Sequence, residues 1–397
     1  MTANHQLKKI NYIAILSLFL FSGAGSFMNA AVQTMMDAWP QLSGTTVRLV
    51  TSLPSLFSLP VTLLIGKAAG KKLSYRFCAI FGTALILFAG IAPFFVSFNW
   101  MLVLVFRALL GIGVGFIAMR NSLILTSVPQ GQQTSMIGYG SSLMNAGAMI
   151  AGPVAGILAG LGWNYPFLFN IFAVIPLVIL IFYLKEPEKD AVSISENPFC
   201  EKSSYRKTDW RVIYYIVMQF ITTAALYPLL SGMSSYMAAN QIGSAFIAGL
   251  ANSVYCLAGV LINLFLNPLI RILKTRILGV MCFIFAAGMA LIVYLPSIPA
   301  ILVGMVLAGL SFNTMMSVFQ LYNGKTADNR LAPVTSTILI ASLSLGNFVS
   351  VYFINFCHTV FHRSTDIEST YFGSMICYLI LALLSFIIKI APKDEYL

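Results

Sequence analysis

Apolar runs of about 20 residues recur from one end of the chain to the other, each long enough to cross a hydrocarbon core of roughly 30 Å. Strands of alternating character, about ten residues long, are absent, so the spans are helices and not a barrel. The runs predict twelve spans, near residues 12–34, 47–66, 76–96, 100–125, 135–160, 164–184, 211–237, 243–266, 275–295, 298–322, 332–356 and 370–390. Between the sixth and seventh lies a charged stretch, Lys185 to Asp209, with Pro187, Pro198 and scattered serines but no apolar period. It reads as a linker that divides an all-α membrane protein into six helices over residues 1–184 and six over 211–397, with 185–210 between them.

Composition strengthens this reading. The 397 residues are 59% hydrophobic and 9% charged, with a mean hydropathy of +0.88, far more apolar than a soluble domain. The net charge of +11 would suggest nucleic acid if its cations were spread along the chain. They fall instead in alternate connections: Lys8 and Lys9; Lys67, Lys71, Lys72 and Arg76; Lys185 through Arg211; Arg271, Lys274 and Arg276; Lys325 and Arg330; Lys389 and Lys393. The intervening loops carry only Arg48 and Arg363. The positive-inside rule then puts both termini and the linker in the cytoplasm of a cell-membrane protein, with anionic lipid headgroups as partners and no role for nucleic acid. The first run follows a basic leader but is too long for the apolar part of a signal peptide, and is kept as span one. Six cysteines stand without CxxC spacing, so neither a disulfide framework nor a zinc site is expected, and no cofactor.

Within spans, polar side chains are the informative ones, because burying them in lipid without a partner is costly. Span one carries Ser22, Ser26, Asn29 and Gln33 at steps that place them on one helical face. Span seven carries Gln219, Thr223, Tyr227 and Ser231, and span ten carries Gly309, Asn313, Ser317 and Gln320. Span four carries Arg107, with Gly111 and Gly115 following on the same side. Arg107 lies on the order of 10 Å inside the boundary, where it costs roughly 2.5–3.5 kcal/mol. Either it is structural, bonded to helix ends or to Asn29 and Gln33, or it touches the solute. Arg120, near the cytoplasmic end, is free to snorkel.

Acidic residues are as informative by their positions. Most sit in the linker, at the C-terminus or, like Asp328, Asp366 and Glu368, in loops, which leaves Asp37, just past span one, as the carboxylate for ion coupling. His358 and His362 have metal-ligand spacing but no third ligand, and read as surface histidines. Trp39, Trp100, Trp163 and Trp210 read as interfacial anchors.

The two halves share an offset of about 200 residues. The basic loop Gly66 to Arg76 pairs with Arg271, Lys274 and Arg276; Gly111 pairs with Gly309; Thr134-Ser135 pairs with Thr335-Ser336. Over nearly its whole length the chain resembles the major facilitator superfamily, above all its twelve-span drug and small-solute exporters. Gly66, Lys71, Lys72 and Arg76 are similar to that family's loop signature, which this chain leaves at Gly70 and Leu73. Arg107, Gly111 and Gly113 resemble its span-four Arg-Gly motif, and Gly152-Pro153, with Gly156, its span-five exporter motif. The resemblance implies two pseudo-symmetric six-helix bundles around a cavity lined by spans one, four, seven and ten, working by alternating access. It implies gating roles for Arg107, Gly111, Gly152 and Pro153.

Together these point to a secondary transporter, functional as a monomer, that exports a small organic solute by proton antiport. A cavity without a central carboxylate suits neutral or anionic solutes better than lipophilic cations. Uptake, facilitated diffusion or anion exchange is the rival within the class. An intramembrane enzyme would need a nucleophile and base or a metal cluster at membrane depth, which the spans lack.

Overall fold

A computed structural model describes residues 2–70, 72–186, 210–326, 332–362 and 365–388. It contains twelve helices long and apolar enough to cross a membrane: Ile10–Ala38, Gly44–Gly66, Tyr75–Phe95, Trp100–Ile124, Gly138–Ala159, Tyr165–Tyr183, Trp210–Ala239, Ala245–Ile262, Pro268–Tyr294, Ile298–Asn323, Ile338–Phe361 and Asp366–Ile388. They match the predicted spans in number and order, and are numbered one to twelve below. An even number of crossings puts the described ends of the chain on the same side as the linker; the opposite side is called the far side.

Buried side chains fall into two cores, one drawn from residues 14–184 and the other from 215–382. Span three shows how a helix packs when lipid, not water, surrounds it. Its buried face carries Cys78, Ala79, Gly82, Thr83, Ala89 and Gly90, whereas Phe77, Phe81, Phe88 and Phe95 are exposed. Small residues face inward because helices in hydrocarbon associate through close van der Waals contact and gain nothing from hiding large apolar groups.

Four spans depart from regular helix, span nine by a 3-10 turn at Lys274–Arg276. Span one is interrupted: the helix Thr2–Leu20 gives way to 3-10 turns at Ala24–Ser26 and Asn29–Ala31, and helix resumes over Val32–Ala38. Gly23 and Gly25 have poor helix propensity, and the Ser22 and Ser26 hydroxyls donate to the carbonyls of Leu18 and Gly23. The expected single polar face of Ser22, Ser26, Asn29 and Gln33 is therefore cut in two. Span four breaks between Ile117 and Arg120, and span six begins as a 3-10 helix over Tyr165–Ala173. Span twelve starts at Asp366 and not near 370, so Asp366 and Glu368 belong to its first turn and not to a loop. Thr365 accepts from the Glu368 backbone N–H at 3.1 Å, half of the Thr-x-x-Glu capping box that the sequence spells.

The bundles meet along spans five and eight and along spans two and eleven. A Cβ on Gly152 would lie 2.6 Å from the Gly249 carbonyl, and Gly249 abuts the Gly152 carbonyl in return. Hydrogen bonds join the bundles from mid-membrane to the far side. Asn347 donates to Ser55 Oγ at 2.6 Å, Thr45 to Asn355 Oδ1 at 2.8 Å, and the Gln33 backbone to Ser234 Oγ at 3.3 Å. Glycine against glycine gives a joint without interdigitated side chains, which lets two surfaces part and meet again. Oxidation of a Thr45→Cys/Asn355→Cys pair, with the other cysteines replaced, is expected to cross-link the bundles. Adding Gly249→Leu is expected to reduce the yield severalfold, and an unchanged yield would remove the glycine contact as the seat of closure.

Candidate functional site

Arg107 is completely buried. Its Nε donates to the Val50 carbonyl at 2.6 Å and its Nη2 to the Gly25 carbonyl at 2.5 Å. The first acceptor exists because residue 54 is proline. A helix pairs each carbonyl with the N–H four residues on, and Pro54 has none, so Val50 is left unpaired within span two. The second belongs to the interrupted part of span one, where regular pairing has also lapsed. Gly111, one turn beyond Arg107, has its Cα against the Pro54 backbone, where a Cβ would collide. The Arg107-Gly111 pair thus fits the proline kink of span two and ties the broken segment of span one to it. Arg107 lines neither of the two cavities described below, and its partners are backbone carbonyls, not Asn29 or Gln33. Arg120 lies over the Phe19 ring at 4.9 Å, a cation–π contact in place of a counter-ion.

Span five repeats the device between the bundles. Pro153 leaves the Met149 carbonyl without its helical donor, and Ser253 of span eight donates to that oxygen at 2.5 Å, sharing its proton with Gly249 of its own helix at 3.1 Å. Gly152 and Pro153 therefore act together: the glycine admits span eight, and the proline supplies the acceptor that its serine reaches.

Where the bundles meet at mid-depth there is a cavity of about 60 Å³ whose walls include Ser26, Asn29, Gly152, Asn252, Tyr255 and Cys256. Two of its amide oxygens, Asn29 Oδ1 and Asn252 Oδ1, are buried without a hydrogen-bond partner. Buried orphan acceptors are costly, and here one from each bundle belongs to a residue that lines the same space. Tyr255 joins this space to two predicted stripes, since it lies within electrostatic reach of Asn313 of span ten and of Tyr227 of span seven. Along span ten, Asn313 and Ser317 are half-buried and Gln320 is exposed, while Thr314, Met315, Val318 and Phe319 are buried. The wet stripe thus grows more open toward the linker side.

The other predicted residues lie elsewhere. Gln219 and Thr223 are buried, with the glutamine Nε2 donating to the threonine at 3.2 Å, and Thr223 packs against Gly346 of span eleven. Spans five and eight supply cavity wall that the sequence reading assigned to spans four and ten. Asn252 and Tyr255 went unnoticed, although an i, i+3 polar pair in an apolar span is the same signal that marked span ten.

At the far side, Gln33 donates through Nε2 to Asp37 Oδ1 at 2.7 Å, and Asp37 is exposed. His358 Nδ1 lies 3.2 Å from Asp366 Oδ1, and both side chains are about half exposed, so this histidine stands at the surface beside a carboxylate. Trp39, Trp100 and Trp163, read as separate anchors, form one cluster with ring centroids 5.8–5.9 Å apart, and Trp100 is buried.

In the loop after span two, Lys71 lies outside the described residues and Lys72 is exposed. Nothing within 4 Å would oppose a Cβ on Gly66. Gly70, standing where the family has Asp, has φ +78° and lies against the Tyr75 ring, a conformation that favours glycine. Glu186 supplies a carboxylate there instead, accepting from the Tyr75 and Arg76 backbone N–H groups at 2.7 and 2.8 Å. It thereby caps the positive N-terminus of span three. Arg76 Nη2 donates to the Ile181 carbonyl at 2.8 Å, tying spans three and six.

Removing Arg107 orphans two buried carbonyls, so Arg107→Leu is expected to cost about 2–5 kcal/mol, read as a drop in melting temperature in detergent. In a Pro54→Ala chain, where residue 54 regains an N–H for Val50, that cost is expected to shrink by about 1 kcal/mol. Strictly additive losses would show that the arginine does not serve the proline.

A profile described as Major Facilitator Superfamily matches residues 13–351. The chain is 29% identical over 212 residues to the multidrug resistance protein MdtG of Proteus mirabilis (strain HI4320), covering 52% of this chain and 51% of that one. It is 26% identical over 278 residues to the uncharacterized MFS-type transporter YceJ of Bacillus subtilis (strain 168), covering 66% and 67%. The match thus spans about half the length of the MdtG relative. Among solved structures, the fold is similar to a bacterial homolog of the human lysosomal transporter Spinster in an inward-facing and occupied conformation, with TM-score 0.74, 14% identity and 97% of each chain covered. It is also similar to a D-xylose-proton symporter, with TM-score 0.75, 15% identity and 97% and 98% covered. With its twelve membrane-length helices and a profile match over most of its length, the chain belongs to the Major Facilitator Superfamily of membrane transporters.

Proposed function

We propose that the protein exports a small neutral or anionic organic solute from the cytoplasm by alternating access, in antiport with protons. The observation that carries this reading is a pathway joined across at one end and graded at the other. The bundles are hydrogen-bonded to each other from mid-membrane to the far side, and the polar stripe of span ten opens progressively toward the linker side. Residues 1–184 and 211–397 act as two rocking bodies joined by the linker 185–210, and a single chain holds the whole pathway. The basic connections support a cytoplasmic linker side and a position in the cell membrane. The solute enters from the linker side, runs along Asn313, Ser317 and Gln320, and meets Ser26, Asn29, Asn252 and Tyr255 at the closed apex. Two orphan amide oxygens favour a solute that donates hydrogen bonds there. Export accords with the similarity to MdtG, a protein named for multidrug resistance.

Asp37, held by Gln33, is the carboxylate assigned to the coupling proton. Its exposure favours a second reading, a facilitator or anion exchanger without protons, because a coupling acid usually needs an environment that changes its proton affinity. Reconstitution in proteoliposomes under an imposed pH gradient, with an internal pH dye, separates the two. Solute-dependent proton movement lost in Asp37→Asn establishes antiport through that residue. Solute flux without proton movement, unchanged in Asp37→Asn, establishes the facilitator. In either case Asn252→Ala and Asn313→Ala are expected to lower flux by about five- to tenfold, each removing a polar contact of roughly 1–1.5 kcal/mol, with little loss of folded protein. Flux unaffected by both would remove the apex as the solute site.

A further inference from the structure

The far side holds a second, larger cavity of about 460 Å³, bordered by Gln33, Met36 and Arg48 from one bundle and by Ser235, Thr365 and Asp366 from the other. Its volume falls in the range of small-molecule sites, roughly 300–1,000 Å³. Arg48 is the unexplained group. Its side chain is only 3% exposed, and its Nε has no hydrogen-bond partner. A buried guanidinium is costly and is retained where something pairs with it; here one nitrogen has no hydrogen-bond partner, and the electrostatic partners of the group are Asp366 and Tyr371. Asp366 is the carboxylate on the opposite wall, but it forms no ion pair with Arg48 and is engaged by His358 at 3.2 Å, with both side chains about half exposed (45% and 49%). Glu368 accepts from Asn240, and Asp37 accepts from Gln33, itself a wall residue. One wall therefore offers a buried cation and the other a carboxylate, with space between them.

We propose that this cavity is a second solute site, for an amphoteric molecule whose carboxylate pairs with Arg48 and whose amine pairs with Asp366. A simple anion meets Asp366 across the cavity, and a simple cation meets Arg48; a molecule bearing both charges complements both walls at once. Because Arg48 belongs to span two and Asp366 to span twelve, such a guest bridges the bundles and holds the far side closed. The proposal rests on the transporter reading and narrows its substrate class: a net-neutral amphoteric solute would make its last contact here before release.

The test uses the full chain in lipid nanodiscs, with γ-aminobutyrate and ε-aminocaproate as two-charge probes, butyrate and butylammonium as one-charge controls, and titration calorimetry as the readout. Saturable binding of a two-charge probe is expected, with both controls weaker by at least about tenfold. Arg48→Gln and Asp366→Asn are each expected to weaken it by at least about tenfold. The probe is also expected to raise the yield of the Thr45→Cys/Asn355→Cys cross-link, which a merely structural role for Arg48 would not do. Butyrate binding as tightly as γ-aminobutyrate, or binding untouched by both variants, overturns the proposal. So does absence of binding by every probe: an Arg48→Asp/Asp366→Arg chain that then keeps the stability lost in either single reversal assigns the two residues to a latch between bundles. Binding needs no flux, so failure of transport in proteoliposomes with binding intact overturns the exporter reading and leaves the site standing.

Discussion

Hydrocarbon offers no hydrogen-bond partners, so a backbone carbonyl that loses its helical N–H must find another donor within the protein. Pro54 and Pro153 each create such a carbonyl, at Val50 and Met149, and each is met by a side chain from another helix. Arg107 reaches Val50 at 2.6 Å and Ser253 reaches Met149 at 2.5 Å. The first bond lies inside one bundle and fixes spans one, two and four as a unit. The second crosses between bundles. A charged donor with a second anchor at Gly25 suits a permanent brace, whereas a hydroxyl that also has a carbonyl of its own helix within reach loses little when the contact opens.

Packing follows the same division. Within the second bundle, tyrosine hydroxyls of spans seven and twelve reach backbone carbonyls deep in the core: Tyr236 to Ile292, Tyr371 to Leu229 and Tyr378 to Thr222. Such bonds specify one arrangement, since a buried hydroxyl pulled from its acceptor pays the full desolvation penalty. Between bundles, the Gly152 and Gly249 backbones touch directly, and no large side chain has to be withdrawn for them to separate. Rigid bodies with a separable joint are the mechanical requirement of alternating access.

The far-side charges fit this picture. Arg48, Asp366 and His358 sit at the end where the bundles touch, not along the stripe of span ten. Charge at a contact that opens and closes can be hydrated in one state and paired in the other, which is a use for a group too costly to bury permanently.

By itself the sequence determined the number and order of the spans and the polar stripe of span ten, because hydropathy and helical period are properties of a single segment in its solvent; the linker it proposes lies almost wholly outside the described residues. The sequence also marked Arg107, a charge at membrane depth, while Gly152 and Pro153 stood out through the resemblance to the family's span-five motif. Hydropathy alone puts Asp366 in a loop, whereas the Thr-x-x-Glu pattern at Thr365 to Glu368 marks it as the first turn of span twelve. Only the tertiary structure decided what those residues meet. That Arg107 serves a proline 53 residues earlier in the chain, that Asn252 and Tyr255 border the apex, and that Arg48 faces Asp366 across a cavity are facts about which helices are neighbours. In hydrocarbon every helix face is sufficiently apolar, so hydropathy cannot choose those neighbours; small residues, orphan carbonyls and a few hydrogen bonds choose them, and their geometry exists only once the bundles have assembled.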